Sequence, residues 1–473
     1  MNKAVAVLAA GFALLAPSAH AAVTFDFIFD DGRPRSVSND GLVVTGTDGA
    51  AISFRWTQAT GLVSLGRKQI LGGGGEPNIS ADGTRIAFGI GAVDSSYTTQ
   101  GLWTLGSGWQ ELMPPPPPGG GTVDGTYGSS YDISGDGTTV VGLYNRPGQG
   151  NRAHASKWTQ ANGVVDLGGT TSGQASRANG VNHNGSVIVG WVEAPTGNWR
   201  PAAWVNGSIV LLTEFDGTVS IAGAGEARAT SSNGDLIVGF SSDPESQQRA
   251  VTIWRRTDGV FGPPEILGWV DGSTPEYGLN LPYAVSDNGE IIVGYCSFDG
   301  SPFASTGFIW TPNTGVIDVN QWLANNGVLV DPNFTIQTLS AMTPDGTKIF
   351  GFGQMLTPPY TRRAFRITNP PPVGVAPATA AARIELFSPI PNPSSSAIRM
   401  DFALPTATNA DLSVFDVSGR RLTTLLHGEQ PAGRKSVTWD GREASGDRVP
   451  PGLYFARLVT PQGSVLRRIV RMD

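Results

Sequence analysis

A single cysteine, Cys296, stands in a chain of 473 residues, so no intrachain disulfide can form. It follows a strand-like run in IIVGYCSF, with nothing nearby to lower its pKa, and is expected to pack rather than react. Histidine is nearly as scarce. Beyond the first 21 residues only His154, His183 and His427 occur, far apart and with no cysteine or carboxylate cluster at metal-ligand spacing. Each reads as a polar surface or hairpin residue, and no metal or other cofactor is expected. Charged residues make up only 15% of the chain, and the net charge is −7. Residues 384–473 hold 11 Lys+Arg against 9 Asp+Glu, so the remainder carries about −9. Such an acidic body argues against nucleic acid, whose phosphates need a Lys/Arg surface. A Gly-x-Ser-x-Gly elbow, a phosphate-cradling loop and a dinucleotide fingerprint are all missing. The sequence therefore assigns no catalytic residue.

Sustained helical periodicity and long apolar runs are lacking after the first twenty residues. The start, MNKAVAVLAAGFALLAPSAHA, has Lys3, an apolar run from Ala4 to Ala16, Pro17, and small residues around Ala21. That layout fits a secretory signal peptide over residues 1–21. The run of about 13 residues falls short of the ~20 that span a bilayer, and no later segment is long and apolar enough to do so. The expected location is therefore secreted or at a bacterial cell surface, with no transmembrane segment in the mature chain.

What is abundant is glycine, 63 residues, and proline, 34, as expected of many short strands joined by turns. A polar-Gly turn recurs at Asp40-Gly41, Asp82-Gly83, Asp136-Gly137, Asn184-Gly185, Asn233-Gly234, Asn288-Gly289 and Asp345-Gly346. Most follow a short segment ending in Ser, as in SVSNDG and AVSDNG, and each precedes a strand such as VVTG, VIVG or KIFG. Asx-Gly between apolar runs is a strong hairpin signal, because both central positions accept positive φ. These turns lack the further carboxylates of a calcium loop. A second element is an aromatic closing a later strand: Trp56, Trp103, Trp158, Trp204, Trp254, Trp310 and, in the seventh repeat, Phe365. Their regular recurrence suits packing between repeats better than a sugar platform.

Each repeat thus holds four strands in about 50 residues, the content of one propeller blade. The fold class predicted is all-β: a seven-bladed β-propeller over 22–368, then a small Ig-like β-sandwich. The seventh repeat stops at AFRIT without a last strand, while Val23–Phe29 is β-rich and unassigned. That N-terminal segment is predicted to complete the seventh blade and remove two exposed sheet edges. The order Ser-x-Asp/Asn-Gly, Val-Val-Gly, Trp-Thr, Asp-Leu-Gly resembles the extracellular HAF repeat family over about 340 residues. The resemblance implies an extracellular propeller and carries no activity.

In such blades the first-to-second and third-to-fourth turns share one face. Here those are the short turns, so the long, irregular loops gather on the other face. Binding residues favour loops on a rigid scaffold. Candidate contacts there are Asp94, Tyr97, Trp199, Asp243, Glu245, Asp299, Phe303 and Tyr360, facing an unknown protein or glycan. Pro114 to Pro118 in one such loop suggest a stiff polyproline II spur. An alternative function is a secreted carbohydrate-active hydrolase using two loop carboxylates. The Ser-x-Asp-x-Gly-x-Thr-Trp box of sialidase-like propellers is missing.

Residues 369–383 read as a Pro/Ala-rich linker, and 384–473 as alternating strands of a sandwich. Pro391-Asn392-Pro393, Asp416 to Arg420, Trp439-Asp440-Gly441 and Gly452-Leu453-Tyr454 occur in an order that resembles two related families. One is the Ig-like domain of the flagellar hook-capping protein; the other is the sorting domain of type IX secretion cargo. The resemblance implies recognition by outer-membrane secretion machinery, with a permanent accessory module as the alternative. The function expected is a non-catalytic, secreted or surface binding protein.

Overall fold

The structure is a computed structural model that describes residues 22–68, 74–93, 97–113, 126–145, 152–170, 174–195, 197–212, 225–242, 249–274, 278–298, 305–369, 384–386, 389, 392, 394–395, 397–404, 408–430 and 433–472. The signal-like leader, Pro114 to Pro118 and nearly all of the linker lie outside the described residues. The chain divides into two compact units, Met1–Pro371 and Pro372–Asp473.

The first unit is all-β and built from seven antiparallel sheets, the blades of a propeller. Their inner strands are Gly32–Val37, Asn78–Ile79, Gly128–Ile133, Ser176–Val181, Gly225–Thr230, Leu279–Val285 and Phe334–Met342. Each inner strand except that of blade seven starts a blade whose first four strands pair in chain order. Blade seven takes its outermost strand from the other end of the chain: Thr24–Asp30 pairs antiparallel with Arg362–Thr368. Phe25 stacks on Phe365 at 4.7 Å, and Phe27 meets Phe334 edge-on at 4.9 Å. The N-terminal strand thus closes the ring, as expected of the spare β-rich segment Val23–Phe29. Blade seven also touches blade one, where Ser340 Oγ donates to Pro34 O at 2.6 Å.

The repeated turns are built alike. In six of the seven, a Ser or Thr hydroxyl donates to the Asp or Asn side chain two residues on, as Ser80 does to Asp82 at 2.6 Å. Blade four uses Asn182 instead, whose Oδ1 accepts from Val187 N at 2.9 Å. The glycine after each Asx takes a positive φ, +72° at Gly83, and a Cβ there would lie 2.7 Å from Val43 of the preceding blade. Turn geometry and blade stacking therefore demand glycine together. The repeated aromatics pack backwards too. Trp204 joins Val141 and Ala155 of blade three, and its indole donates to Leu167 O at 3.0 Å. Trp254 likewise packs on Val187 and Val189 of blade four.

Two details depart from a uniform wheel. A short helix, Val319–Asn325, connects blades six and seven; Asp318 caps its start, and it buries Val319, Trp322 and Leu323. Seven residues give too few turns for a helical period to stand out. In blade five the outer edge is split into Val260–Phe261 and Glu265–Gly268, both pairing with Arg249–Thr257.

The second unit has a three-stranded sheet, Glu385–Leu386, Ile398–Leu404 and Gly433–Trp439, and a four-stranded one. The latter orders Arg421–Gln430, Thr408–Asp416, Gly452–Thr460 and Gly463–Arg471. One apolar cluster unites them, with Trp439 at its heart and Tyr454 edge-on at 5.6 Å. The sequence motifs fall at structural joints. Asn392 clamps the last strand, donating to Arg468 O and accepting from Val470 N. Asp416 accepts from Ser418 N and Arg420 N within a tight connection, and Arg420 forks onto Glu443 at 2.9 and 3.0 Å.

Candidate functional site

The inner strands create the most distinctive chemistry, and they do so through β-bulges. In six blades the inner strand's pairing skips one residue three positions before the Ser, Thr or Asn that starts the turn: Arg35, Tyr131, Asn179, Arg228, Tyr283 and Ser340. A bulge re-aims the extra side chain. Arg35, Asn179, Arg228, Tyr283 and Ser340 all line one cavity of about 160 Å³. Asn78 and Asp132 complete its wall, so every blade contributes and the cavity lies on the propeller axis. The sequence pattern does not single these residues out: a polar residue or tyrosine stands at that offset in six repeats and Pro77 in the other, and only the pairing register shows the bulge.

Charge on the axis is networked. Glu226 is buried; its Oε1 accepts from Arg177, from Asn179 Nδ2 at 2.7 Å and from Arg228 Nη1 at 3.0 Å. Burial pushes its pKa up, but the two guanidiniums outweigh that and hold it below the ordinary range. Asp132 lines the cavity. Burial raises its pKa to about 7, against hydrogen bonds from Val181 N and Ile133 N, each 2.9 Å. The Arg35 guanidinium lies 4.1 Å from the Tyr283 ring centre, and that of Arg228 lies 5.5 Å from it.

A second feature sits where the inner strands begin, at the loop-rich end. Trp191 and Trp199, diagonal neighbours on adjacent strands of blade four, stack at 4.4 Å with an 11° tilt. Arg177 covers both rings, at 5.5 and 6.0 Å, and also Tyr131 at 4.9 Å. Trp199 keeps 39% of its surface exposed while Trp191 is buried.

Of the eight predicted contacts, the structure presents Trp199 and Tyr360 at the surface, Tyr360 with a positive φ of 57°. Tyr97 is a correction: it is buried against Ala92, Met113 and Tyr127, because its ring completes a small apolar cluster. Asp94, Asp243, Glu245, Asp299 and Phe303 lie outside the described residues. His154 also departs from expectation, being buried with Nδ1 3.1 Å from Asp166. His183 does sit in a hairpin turn, where its N–H donates to Ser232 O. Cys296 is buried in the core, and burial pushes its thiol to about 11, as an inert packing residue requires. Among the described residues no three His, Cys, Asp or Glu side chains converge as metal ligands.

Residues 394–463 match the FlgD Ig-like domain family. The C-terminal unit carries an FlgD Ig-like domain. The Asp416–Arg420 connection and the Trp439 core both lie within the matched stretch of the FlgD Ig-like domain. No curated protein matches the chain in sequence. Among solved structures, the chain is similar to the β-propeller domain of the Trilobed protease from Pyrococcus furiosus, at 11% identity and a TM-score of 0.43, covering 74% of this chain and 99% of that one. It is also similar to a prolyl endopeptidase, at 12% identity and a TM-score of 0.44, covering 80% of this chain and 55% of that one.

Proposed function

We propose that the protein is a non-catalytic, secreted or cell-surface binding protein of HAF-repeat type. Its propeller engages a glycan or a protein at the loop-rich end. The Ig-like domain serves as an address for outer-membrane secretion machinery. The observation that carries the binding role is Trp199: a large, half-open indole held rigid by Trp191 beneath and Arg177 beside it. A pre-ordered aromatic loses little conformational freedom on binding, and its apolar face suits a sugar ring or a side chain. The axial carboxylates support binding over hydrolysis. Glu226 Oε1 is engaged by three side chains and Asp132 by two backbone amides, so both serve the protein's own framework.

A glycan array probed with the full chain and with Trp199→Ala tests this. Binding by the parent that falls at least about tenfold in the variant is expected, the loss of one aromatic anchor. Because Trp199 is half-exposed yet stacked on Trp191, the variant should lose about 1–2 kcal/mol and remain folded, which a thermal melt checks. Turnover of any bound glycan would sink the non-catalytic reading.

A further inference from the structure

The four-stranded sheet of the Ig-like domain has an outer face whose chemistry the domain's own core does not use. Leu412, Val414, Ala456, Leu458 and Ile469 turn inward to the Trp439 cluster, so the alternate residues of these strands face outward. Phe415 pairs with Phe455 near the middle of that face. Arg421 pairs with Phe415 on one side, and Arg468 pairs with Phe455 on the other. Arg457 stands two residues along from Phe455, opposite Ser413. Both rings are half-buried, and Leu453 and Leu466 on the same face keep 38% and 50% of their surface exposed.

The three arginines are exposed, and among the described residues no ion pair or hydrogen bond ends on their guanidiniums. Those of Arg421 and Arg457 lie 5.8 and 5.6 Å from the Phe415 ring centre. A guanidinium resting on an aromatic ring is ordered yet keeps its N–H edge free to donate. The carboxylates nearby are engaged or stand apart. Asp416 and Glu443 are both held by Arg420. Asp411 and Glu429 lie beyond Ser413, on the side away from Phe415, and Asp411 is bonded to Ser413 Oγ and His427 Nδ1. The part of the face around Phe415 and Phe455 thus holds three free cations and, among the described residues, no unpaired carboxylate.

We propose that this face binds an acidic polysaccharide, a chain rich in uronic acids. Guanidiniums pair best with carboxylates and similar oxyanions. Arg421 and Arg468 stand on the two outermost strands, three strand spacings or about 14 Å apart at Cα, which suits a chain of several anions better than one small anion. The backbone groups of these strands are spent on the ladder. The face therefore offers an extended peptide none of the main-chain bonds that fix one to a sheet edge. A glycan needs none, since it lays ring faces on Phe455 and the leucines and extends its carboxylates to the arginines. The site lies on the Ig-like domain and stands without the reading of the propeller's loop-rich end.

Calorimetric titration of the full chain with hexagalacturonate, maltohexaose, hexaglutamate and a thymidylate hexamer at equal ionic strength tests the assignment. Hexagalacturonate should bind the tightest, and equally well to the Trp199→Ala variant. In the triple variant Arg421→Gln, Arg457→Gln, Arg468→Gln its affinity should fall about 10- to 100-fold, three exposed charge contacts each contributing a few-fold. Arg468→Gln alone, a single exposed change, should lose about two- to fivefold and serves if the triple variant does not fold. Maltohexaose binding as tightly would remove the role of charge. Tighter binding of hexaglutamate or of the thymidylate hexamer would make the occupant a protein or a nucleic acid and overturn the glycan. Loss of binding in Trp199→Ala would move the site to the propeller. No binding of hexagalacturonate, or an affinity untouched in the arginine variants, would refute the proposal.

Discussion

In the Ig-like domain two sheets close on one apolar cluster, with Trp439 buried between them and its indole donating to Arg442 O at 2.9 Å. In the propeller the apolar side chains form separate clusters astride neighbouring blades, each with a Trp or Phe closing the join. The centre of the wheel is polar instead, filled by arginines, tyrosines and amides. The sandwich thus stakes its stability on one place. The propeller spreads it over many joints and leaves its middle for chemistry. Repeat architectures behave this way because each unit stabilises its neighbours, and ring closure couples the last to the first.

The largest expected effect follows from that contrast. Trp439→Ala should cost the Ig-like domain about 3–5 kcal/mol, the usual penalty for emptying a core of a buried aromatic. Scanning calorimetry of the full chain should show the transition of that domain displaced or lost, with the propeller transition unmoved. Trp204→Ala, equally buried, should cost a similar amount and move the propeller transition alone. A shift of both transitions by either variant would show that the two units do not melt separately.

The middle-sized effect sharpens the account of the joints. Gly83→Ala places a Cβ 2.7 Å from Val43 of the previous blade in a backbone at φ +72°. Strain and overpacking together should cost about 1–3 kcal/mol. Gly61, at φ +63° but with open space around it, isolates the backbone share. Gly61→Ala should cost about 1 kcal/mol. Equal losses in urea denaturation would show that the turn glycines serve the backbone alone.

The joints were legible because they are local. Asx-Gly turns, β-branched strands and closing aromatics repeat in a fixed order, and the spare β-rich segment Val23–Phe29 beside a seventh repeat short of one strand pointed to ring closure. The axis was not legible. A bulge is a property of pairing register, so Arg35, Arg228 and Tyr283 read as ordinary strand residues until their partners are known. Tyr97 misled for a related reason: a residue next to a loop is exposed or buried according to what packs over it, and here Met113 and Tyr127 do. His154 was hidden because Asp166 reaches it only through the pairing of two strands.

The smallest expected effect uses a variation that the repeats already contain. Four turns carry Asp (Asp40, Asp82, Asp136 and Asp345) and three carry Asn (Asn184, Asn233 and Asn288). In each Asp turn partial burial pushes the carboxyl pKa up. The Ser or Thr hydroxyl and a backbone N–H outweigh that, leaving the pKa below its ordinary 3.8. A folded pKa below the unfolded one means that the unfolded chain binds more protons in that range. Stability from these groups is therefore complete above about pH 4 and drains away as pH falls through the folded values. Asn keeps the accepting Oδ1 and cannot titrate. Changing all four Asp to Asn should leave stability at pH 7 within about 0.5 kcal/mol per site, while flattening the propeller's loss of stability between pH 4 and pH 2. Thermal melts across that range check it. An acid limb as steep as the parent's would place the acid sensitivity elsewhere, in a carboxylate such as Glu226, which two guanidiniums hold below its ordinary range. The hydrogen-bonded turns would then be indifferent to their own charge.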